Sequence, residues 1–312
     1  MSWMKKSALL ASITSVALVG AACGNNEEGN GAAEGDALSG KVVMDGSSTV
    51  FPIMEAVAEE FSAEQPDVEV TVGVSGTGGG FKRFVTGETD FSNASREIKE
   101  EEAAEAEANG VEFTQLSVAL DGLSIVVNPE NDWAQDITID ELNKMWTDTN
   151  VKTWQDVRSD WPDEEITFFA PGKDSGTFDF FNEAVLDDTD IRQDAQLSED
   201  DNVLVTGIAG TKGAIGFFGY AYYIENEGTL RAMAVEGVEP NQETINDLSY
   251  PLSREIYTYV NNASLNEKPQ VAAFARFLNE NVAELSEEVG YVGMEQARYD
   301  ENAGIIDELA GE

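Results

Sequence analysis

Three stretches place hydroxyl and glycine residues between an apolar run and a helical pattern: Asp45-Gly46-Ser47-Ser48-Thr49, Ser75-Gly76-Thr77-Gly78-Gly79-Gly80 and Lys173-Asp174-Ser175-Gly176-Thr177. A helix start leaves backbone N–H groups unpaired and carries the positive end of the helix dipole, so each turn can hold an anion without formal charge. The hydroxyls of Ser48, Thr49, Ser75, Thr77, Ser175 and Thr177 add donors, and glycine lets the backbone come close. One such turn alone is ordinary helix capping. Three at strand ends in a single chain can converge on one cleft. Arg96 is the one cation at a strand end among small polar residues. Its planar fork suits a pair of phosphate oxygens, and a surface ion pair with Glu97 or Glu100 carries equal weight. Lys82, Arg83 and Lys173 read as rim or surface groups. Residues 73–80 (GVSGTGGG) lead into Phe81-Lys82-Arg83, with neither a P-loop ending nor dinucleotide spacing, so the anion needs no nucleoside.

The elements that must position these residues follow from periodicity. Lys41–Met44 reads as a strand and Pro52–Phe61 as a helix with Ile53, Val57 and Phe61 on one face. Val68–Val74 alternates as a strand, and a helix follows through Phe81, Phe84 and Val85. Phe91–Arg96 is a third short strand, and Lys99–Asn109 an acidic, alanine-rich helix. Strands alternating with helices imply mainly parallel sheets whose ligands sit beyond the carboxyl ends of the strands. Leu116–Asn128, interrupted by Asp121-Gly122, reads as the crossing into a second lobe. That lobe is built from Ile139–Trp146, Trp154–Val157, Ile166–Phe169, a helix over Phe178–Val185, a buried strand Ala214–Phe218 and the segment Ala221–Tyr223. Glu255–Val260 reads as the strand returning to the first lobe, and Val271–Phe277 opens a C-terminal amphipathic helix.

Residues 1–23 have the pattern of a bacterial lipoprotein signal: Lys5 and Lys6, an apolar run Ala8–Val19, then small residues ahead of Cys23. Gly20 stands where such signals usually carry a branched apolar residue. Cys23 is the only cysteine, so no internal disulfide forms and its thiol is free for lipidation. Residues 24–39 have the composition of a flexible tether. The expected organisation is therefore a signal (1–23), a tether (24–39), lobe 1 (40–119 and 254–312) and lobe 2 (120–253).

Sixty acidic residues against 18 basic give a formal net charge of −42, and histidine is absent. Such a surface repels nucleic acid and anionic lipid, and it suits high salt or alkaline surroundings, where screening weakens self-repulsion. An anion site in this chain must overcome that field locally.

Gly46-Ser47-Ser48-Thr49-Val50-Phe51-Pro52, Gly76–Lys82, Ser92–Ile98 and Pro171–Phe178 resemble motifs of the phosphate-binding proteins of bacterial ABC importers, the PstS family. Gly213–Phe217 followed by Ala221-Tyr222-Tyr223 is similar to that family's second-lobe signature, and the resemblance spans most of residues 41–300. It implies an α/β fold of two periplasmic-binding-protein-like lobes closing as a clamshell, with phosphate dehydrated between them. It also implies contacts from Thr49 and Val50, from the Ser75–Gly79 turn with Thr77 and Gly78, from Ser95 and Arg96, and from Ser175, Gly176 and Thr177. Two departures stand out. Family members carry aspartate where Arg96 aligns, and arginine where Pro171 stands. The carboxylate that accepts the proton of hydrogen phosphate, which sulfate lacks, is thus absent from its usual place. Asp121 is the expected replacement, with Asp45 and Asp174 as rivals.

The expectation from these residues is an extracytoplasmic solute-binding lipoprotein, anchored at Cys23 to the outer face of the cell membrane. It would act as a monomer, bind inorganic phosphate, and pass it to the permease subunits of an ABC importer, with no cofactor, metal or catalysis. Sulfate or molybdate binding in the same fold is the nearest alternative. A phosphatase using Ser175 as nucleophile lacks histidine and cysteine as bases or metal ligands. A surface adhesin or phosphate sensor is a third reading.

Overall fold

The computed structural model describes residues 38–173, 175–198 and 200–311. The signal, Cys23, most of the tether and Asp174 lie outside them. Strand β1 (Gly40–Gly46) buries Val42 and Met44, and helix α1 (Phe51–Glu64) covers them with Ile53, Met54, Val57 and Phe61, Pro52 sitting in its first turn. There the absent proline N–H costs nothing. Strand β2 (Val68–Val72), helix α2 (Thr77–Phe84), strand β3 (Phe91–Ala94) and helix α3 (Glu100–Ala108) repeat the theme. The apolar alternation runs on to Val74, but Val74 is 52% exposed: Gly73 donates to the Met44 carbonyl at 2.9 Å and the chain leaves the sheet.

Strand β4 (Phe113–Val127) is long because it serves two halves of one sheet. After it come β5 (Asp136–Ile137), α4 (Ile139–Thr147), α5 (Trp154–Val157), β6 (Thr167–Pro171) and α6 (Gly176–Phe181). The helix expected over Phe178–Val185 is present but changes character: α6 passes into a π-helical turn, Asn182–Leu186. Then follow β7 (Gln196–Ser198), α7 (Asp201–Ala209), β8 (Ala214–Gly219), α8 (Tyr220–Glu225), β9 (Arg231–Ala232), β10 (Ala234–Val235) and α9 (Gln242–Asn246). Strand β11 (Ser253–Asn261) returns the chain, and α10 (Asn262–Glu267), α11 (Pro269–Glu288) and α12 (Gln296–Ala310) complete it.

The main sheet runs β2-β1-β3-β11-β4-β8-β6-β7. Both flanks are parallel: β1 with β2 and β3, and β6 with β7 and β8. The crossing strands pair antiparallel, β11 with β3 and with the first part of β4, whose later residues Leu123–Val127 pair with β8. Hydrophobic cores lie on either side of that crossing. One gathers β1, α1, α11 and α12 around Phe61, Phe91 and Phe274. Another gathers α4, β6, α6 and β8 around Trp146, Phe168, Phe181 and Phe217, where Phe181 stacks on Phe217 at 3.9 Å between ring centroids.

Gly46 ends β1 at φ +148°, and a Cβ there would stand 2.0 Å from the Asn93 carbonyl oxygen. Replacing it with alanine forces β1 and β3 apart just where the first turn begins. Gly46→Ala is expected to lower unfolding stability by about 2–4 kcal/mol, read by urea denaturation.

Candidate functional site

Parallel pairing of β1, β2 and β3 brings their carboxyl ends to one edge, and the turns that follow pack on one another. After β1, Ser47 N–H donates to the Asn93 carbonyl at 2.9 Å, and Thr49 N–H donates to Ser47 Oγ at 3.1 Å. Thr49 is 1% exposed, and its carbonyl accepts a hydrogen bond from the Tyr291 hydroxyl at 2.6 Å. Val50, fully buried, ends the turn as the residue preceding α1. After β2, Ser75 N–H donates to the Gly46 carbonyl at 3.1 Å. The Ser75 side chain lies over the start of α2, its Oγ 2.6 Å from where a Cβ on Gly79 would stand. Thr77 Oγ1 and Ser95 Oγ are 3.0 Å apart, and Ser95 N–H also reaches Thr77 Oγ1, at 3.2 Å. Arg96 Nη2 lies 3.9 Å from the Cβ position of Gly78. Ser75, Thr77, Gly78, Gly79, Ser95 and Arg96 therefore form one neighbourhood.

Arg96 is neither free nor stranded at the surface. Nη1 and Nη2 donate to the two oxygens of Glu102, each at 2.9 Å, Nη1 also donates to the Glu97 carbonyl at 3.0 Å, and the guanidinium lies 5.4 Å above the Phe81 ring. The ion-pair partner is thus Glu102, not the side chain of Glu97 or Glu100. The acidic first turn of α3 points its third residue back at the strand end, where Glu102 also accepts from Lys99 N–H at 2.9 Å. Burial pushes the Glu102 carboxyl up, but hydrogen bonds from Arg96 and from the Lys99 backbone outweigh it and hold the group below the usual carboxylate range. Of the five Arg96 donors, Nε–H and one Nη2–H keep no acceptor among the described residues.

The third turn faces the first across the crossing strands. Ser175 caps α6 by accepting from Thr177 N–H at 3.2 Å. A Cβ on Gly176 would stand 2.5 Å from Thr49 Cα, and Thr49 Oγ1 donates to the Gly176 carbonyl at 3.4 Å. Only glycine permits that approach. The hydroxyl of Ser48 is engaged by Asp179 on α6, which leaves Ser48 its backbone N–H to offer a ligand.

Beside this contact sits a cation that reading the sequence missed. Arg254, the second residue of β11, lies directly opposite Asp121 on β4. Its Nε donates to Asp121 Oδ2 at 3.2 Å, Nη2 to Thr49 Oγ1 at 3.2 Å and Nη1 to Glu183 Oε2 at 2.7 Å, and the guanidinium stacks 4.0 Å from the Phe180 ring centroid. Asp121 is 4% exposed; burial raises its carboxyl pKa, and Arg254 partly offsets the shift. Asp121 also lines a cavity of about 270 Å³ together with Thr177, Gly219, Tyr222 and Tyr291 and with the acidic Asp201, Glu225 and Glu288. Of its rivals, Asp45 is taken by Arg83 at 2.6 Å and by its neighbour Gly46 N–H at 2.8 Å, a turn-building role. Asp174 lies outside the described residues.

Residues 31–281 match the PBP superfamily domain. The chain is 38% identical over 295 residues to the phosphate-binding protein PstS of Staphylococcus saprophyticus, covering 93% of this chain and 90% of that protein. The chain belongs to the PstS family. Protein SphX of Synechococcus elongatus is 46% identical over 275 residues, 85% of this chain and 81% of its own. The crystal structure of a possible phosphate binding protein from Planctomyces limnophilus superposes with a TM-score of 0.83 at 43% identity, covering 87% of this chain and 99% of that one. The two-lobed α/β architecture is thus that of PstS proteins. In this PstS chain a guanidinium on the returning strand is braced by a buried carboxylate on the crossing strand.

Gly176→Ala tests the closeness of the two turns. The added methyl meets backbone, not a side chain that can swing away, so the segments must separate. Binding of inorganic phosphate, read by calorimetry, is expected to weaken by at least about tenfold while the fold persists by circular dichroism.

Proposed function

We propose that this chain captures inorganic phosphate between lobe 1 (40–119 and 254–312) and lobe 2 (120–253) and delivers it to the permease subunits of an ABC importer, without catalysing a reaction. The observation carrying this reading is the meeting of Thr49, Gly176 and Arg254, which brings a lobe-1 turn, a lobe-2 helix start and a cation into contact. Backbone N–H groups from the starts of α1, α2 and α6 would supply donors, through Val50, the Thr77–Gly79 turn and Gly176; the Thr177 N–H is given to Ser175 Oγ, so Thr177 would offer its hydroxyl. The hydroxyls of Ser75, Ser95 and Ser175 would add to them, while that of Thr49 is given to the Gly176 carbonyl. Arg96 and Arg254 each retain two N–H groups without an acceptor among the described residues. A dianion bridging both lobes favours the shut form by its differential affinity.

Asp121 is the group proposed to separate phosphate from sulfate. A buried carboxylate whose pKa is raised accepts the proton of hydrogen phosphate, but opposes a fully ionised oxyanion with an unpaired acceptor. Phosphate titrated into protein never exposed to phosphate buffer should bind one per chain, with sulfate and molybdate competing only weakly. Equal affinity for sulfate would transfer the assignment to that anion. Arg96→Ala is expected to weaken phosphate binding roughly a hundredfold; unchanged affinity removes it from the site. Asp121→Asn should narrow the preference over sulfate by about tenfold or more, measured as a ratio of dissociation constants.

The extracytoplasmic setting and the anchor follow from the signal pattern ending at Cys23. Cys23→Ser expressed in a bacterial host is expected to leave the protein in the soluble fraction, whereas the unaltered chain should partition with membranes and incorporate labelled palmitate.

A further inference from the structure

The face of α6 turned towards lobe 1 is continuous. Gly176 lies on Thr49, Asp179 holds the Ser48 hydroxyl, Phe180 lies under the Arg254 guanidinium, and Glu183 pairs with Arg254 Nη1 at 2.7 Å. These positions are i, i+3, i+4 and i+7, the spacing that places side chains along one side of a helix. The last contact is made across the switch from α-helix to π-helical turn, a local widening common at functional positions. Every partner of the stripe, Ser48, Thr49 and Arg254, belongs to the first turn or to the returning strand.

Asp179 and Glu183 do not resemble ligand contacts. Each already accepts a hydrogen bond from a lobe-1 group, Asp179 from the Ser48 hydroxyl and Glu183 from Arg254 Nη1, and the Glu183 side chain is 49% exposed while that of Arg254 is 13% exposed. Asp179 holds its lobe-1 donor from a half-buried position and Glu183 from an exposed one. Glu183 also acts at a distance on Arg96, whose pKa is raised chiefly by the hydrogen bond from its guanidinium to Glu102, with a smaller contribution from Glu183.

We propose that Gly176, Asp179, Phe180 and Glu183 form a docking stripe by which α6 closes on lobe 1, and that Asp179 and Glu183 are positioning residues that set anion affinity without touching the anion. The proposal rests on the phosphate-capture reading above. A shut form stabilised by contacts of its own reduces the reorganisation the anion must drive, so apparent affinity rises with the fraction already closed. It also slows release, because the stripe must part before the ligand leaves.

The test uses Glu183→Gln, Asp179→Asn and the double variant in the full chain, with exposed Glu164→Gln as a control for the loss of one charge. Calorimetry and stopped-flow release of inorganic phosphate are expected to show affinity weakened about two- to fivefold for Glu183→Gln and about tenfold for Asp179→Asn. The losses should lie in faster release with association little changed, and Glu164→Gln should match the wild type. Unchanged affinity, or tighter binding, overturns the proposal; tighter binding would mark Glu183 as an internal anion competing for Arg254. Wild-type protein that binds no phosphate overturns the functional reading alone. Small-angle scattering of ligand-free protein then still decides the stripe: expansion in the double variant supports it, and an unchanged profile overturns it.

Discussion

A guanidinium held between two crossing strands constrains everything around it. Arg254 and Asp121 are cross-strand neighbours at the junction of the two halves of the sheet, and both are largely withdrawn from water. A buried ion pair is a weak source of net stability, because desolvation offsets most of the attraction. What it enforces is geometry: removing Arg254 leaves Asp121 as a buried charge without its counter-ion. With Nε tied to Asp121, the other two arms reach Thr49 on one side and Glu183 on the other. The hinge, the first turn and α6 therefore share a single side chain. If the lobes close on phosphate as proposed, their relative movement has to be accommodated at this pair.

The charge of the chain gives this arrangement its second consequence. A formal charge of −42 would exclude a dianion if the field were uniform. It is not, since carboxylates spread over the surface act through water and salt, while N–H groups and guanidiniums in a closed cleft act at contact range. Several acidic groups nearest the site are themselves spent on its cations: Glu102 on Arg96, Asp121 and Glu183 on Arg254. Those pairs fix the cations in place while leaving each guanidinium donors to spare. The excess acidity is thus partly structural, serving to orient a few arginines among only 18 basic residues.

The fold was legible where hydrophobic period and turn chemistry agreed. Strands β1, β2, β3 and β8 and helices α1 and α2 lie where alternation or helical spacing places them, because each buries one face against a core. Helices α7 and α12 escaped notice. In α12 only Tyr299, Asn302 and Ile306 are buried, too few to stand out against Asp300, Glu301, Asp307 and Glu308. Of the candidate site, the three turns are visible through local composition, and the packing of the first two follows from parallel strand order. Arg254 is not, since its significance is a register: it faces Asp121 only once β11 and β4 are paired antiparallel. A reading that started the returning strand at Glu255 dropped it by one residue. Both crossing stretches are legible in the sequence, and Asp121 and Arg254 are the charged residues at the point where the two meet.

The same distinction explains why the Arg96 partner was misread while its position was not. Sequence neighbours Glu97 and Glu100 are the obvious counter-ions, yet a helix start turns by about 100° per residue, so proximity along the chain says little about which carboxylate faces the strand end. Glu102 wins because it can accept from the Lys99 backbone and from both arms of Arg96 at once, satisfying an orphan helix-start donor and a cation with one side chain. On α6 the equivalent economy is a glycine followed at helical spacing by Asp179, Phe180 and Glu183. Nothing in that composition announces an interface, because its partners come from residues about 130 and 70 positions away along the chain. Local patterns declare which groups a chain presents; the pairing of distant strands decides what those groups meet.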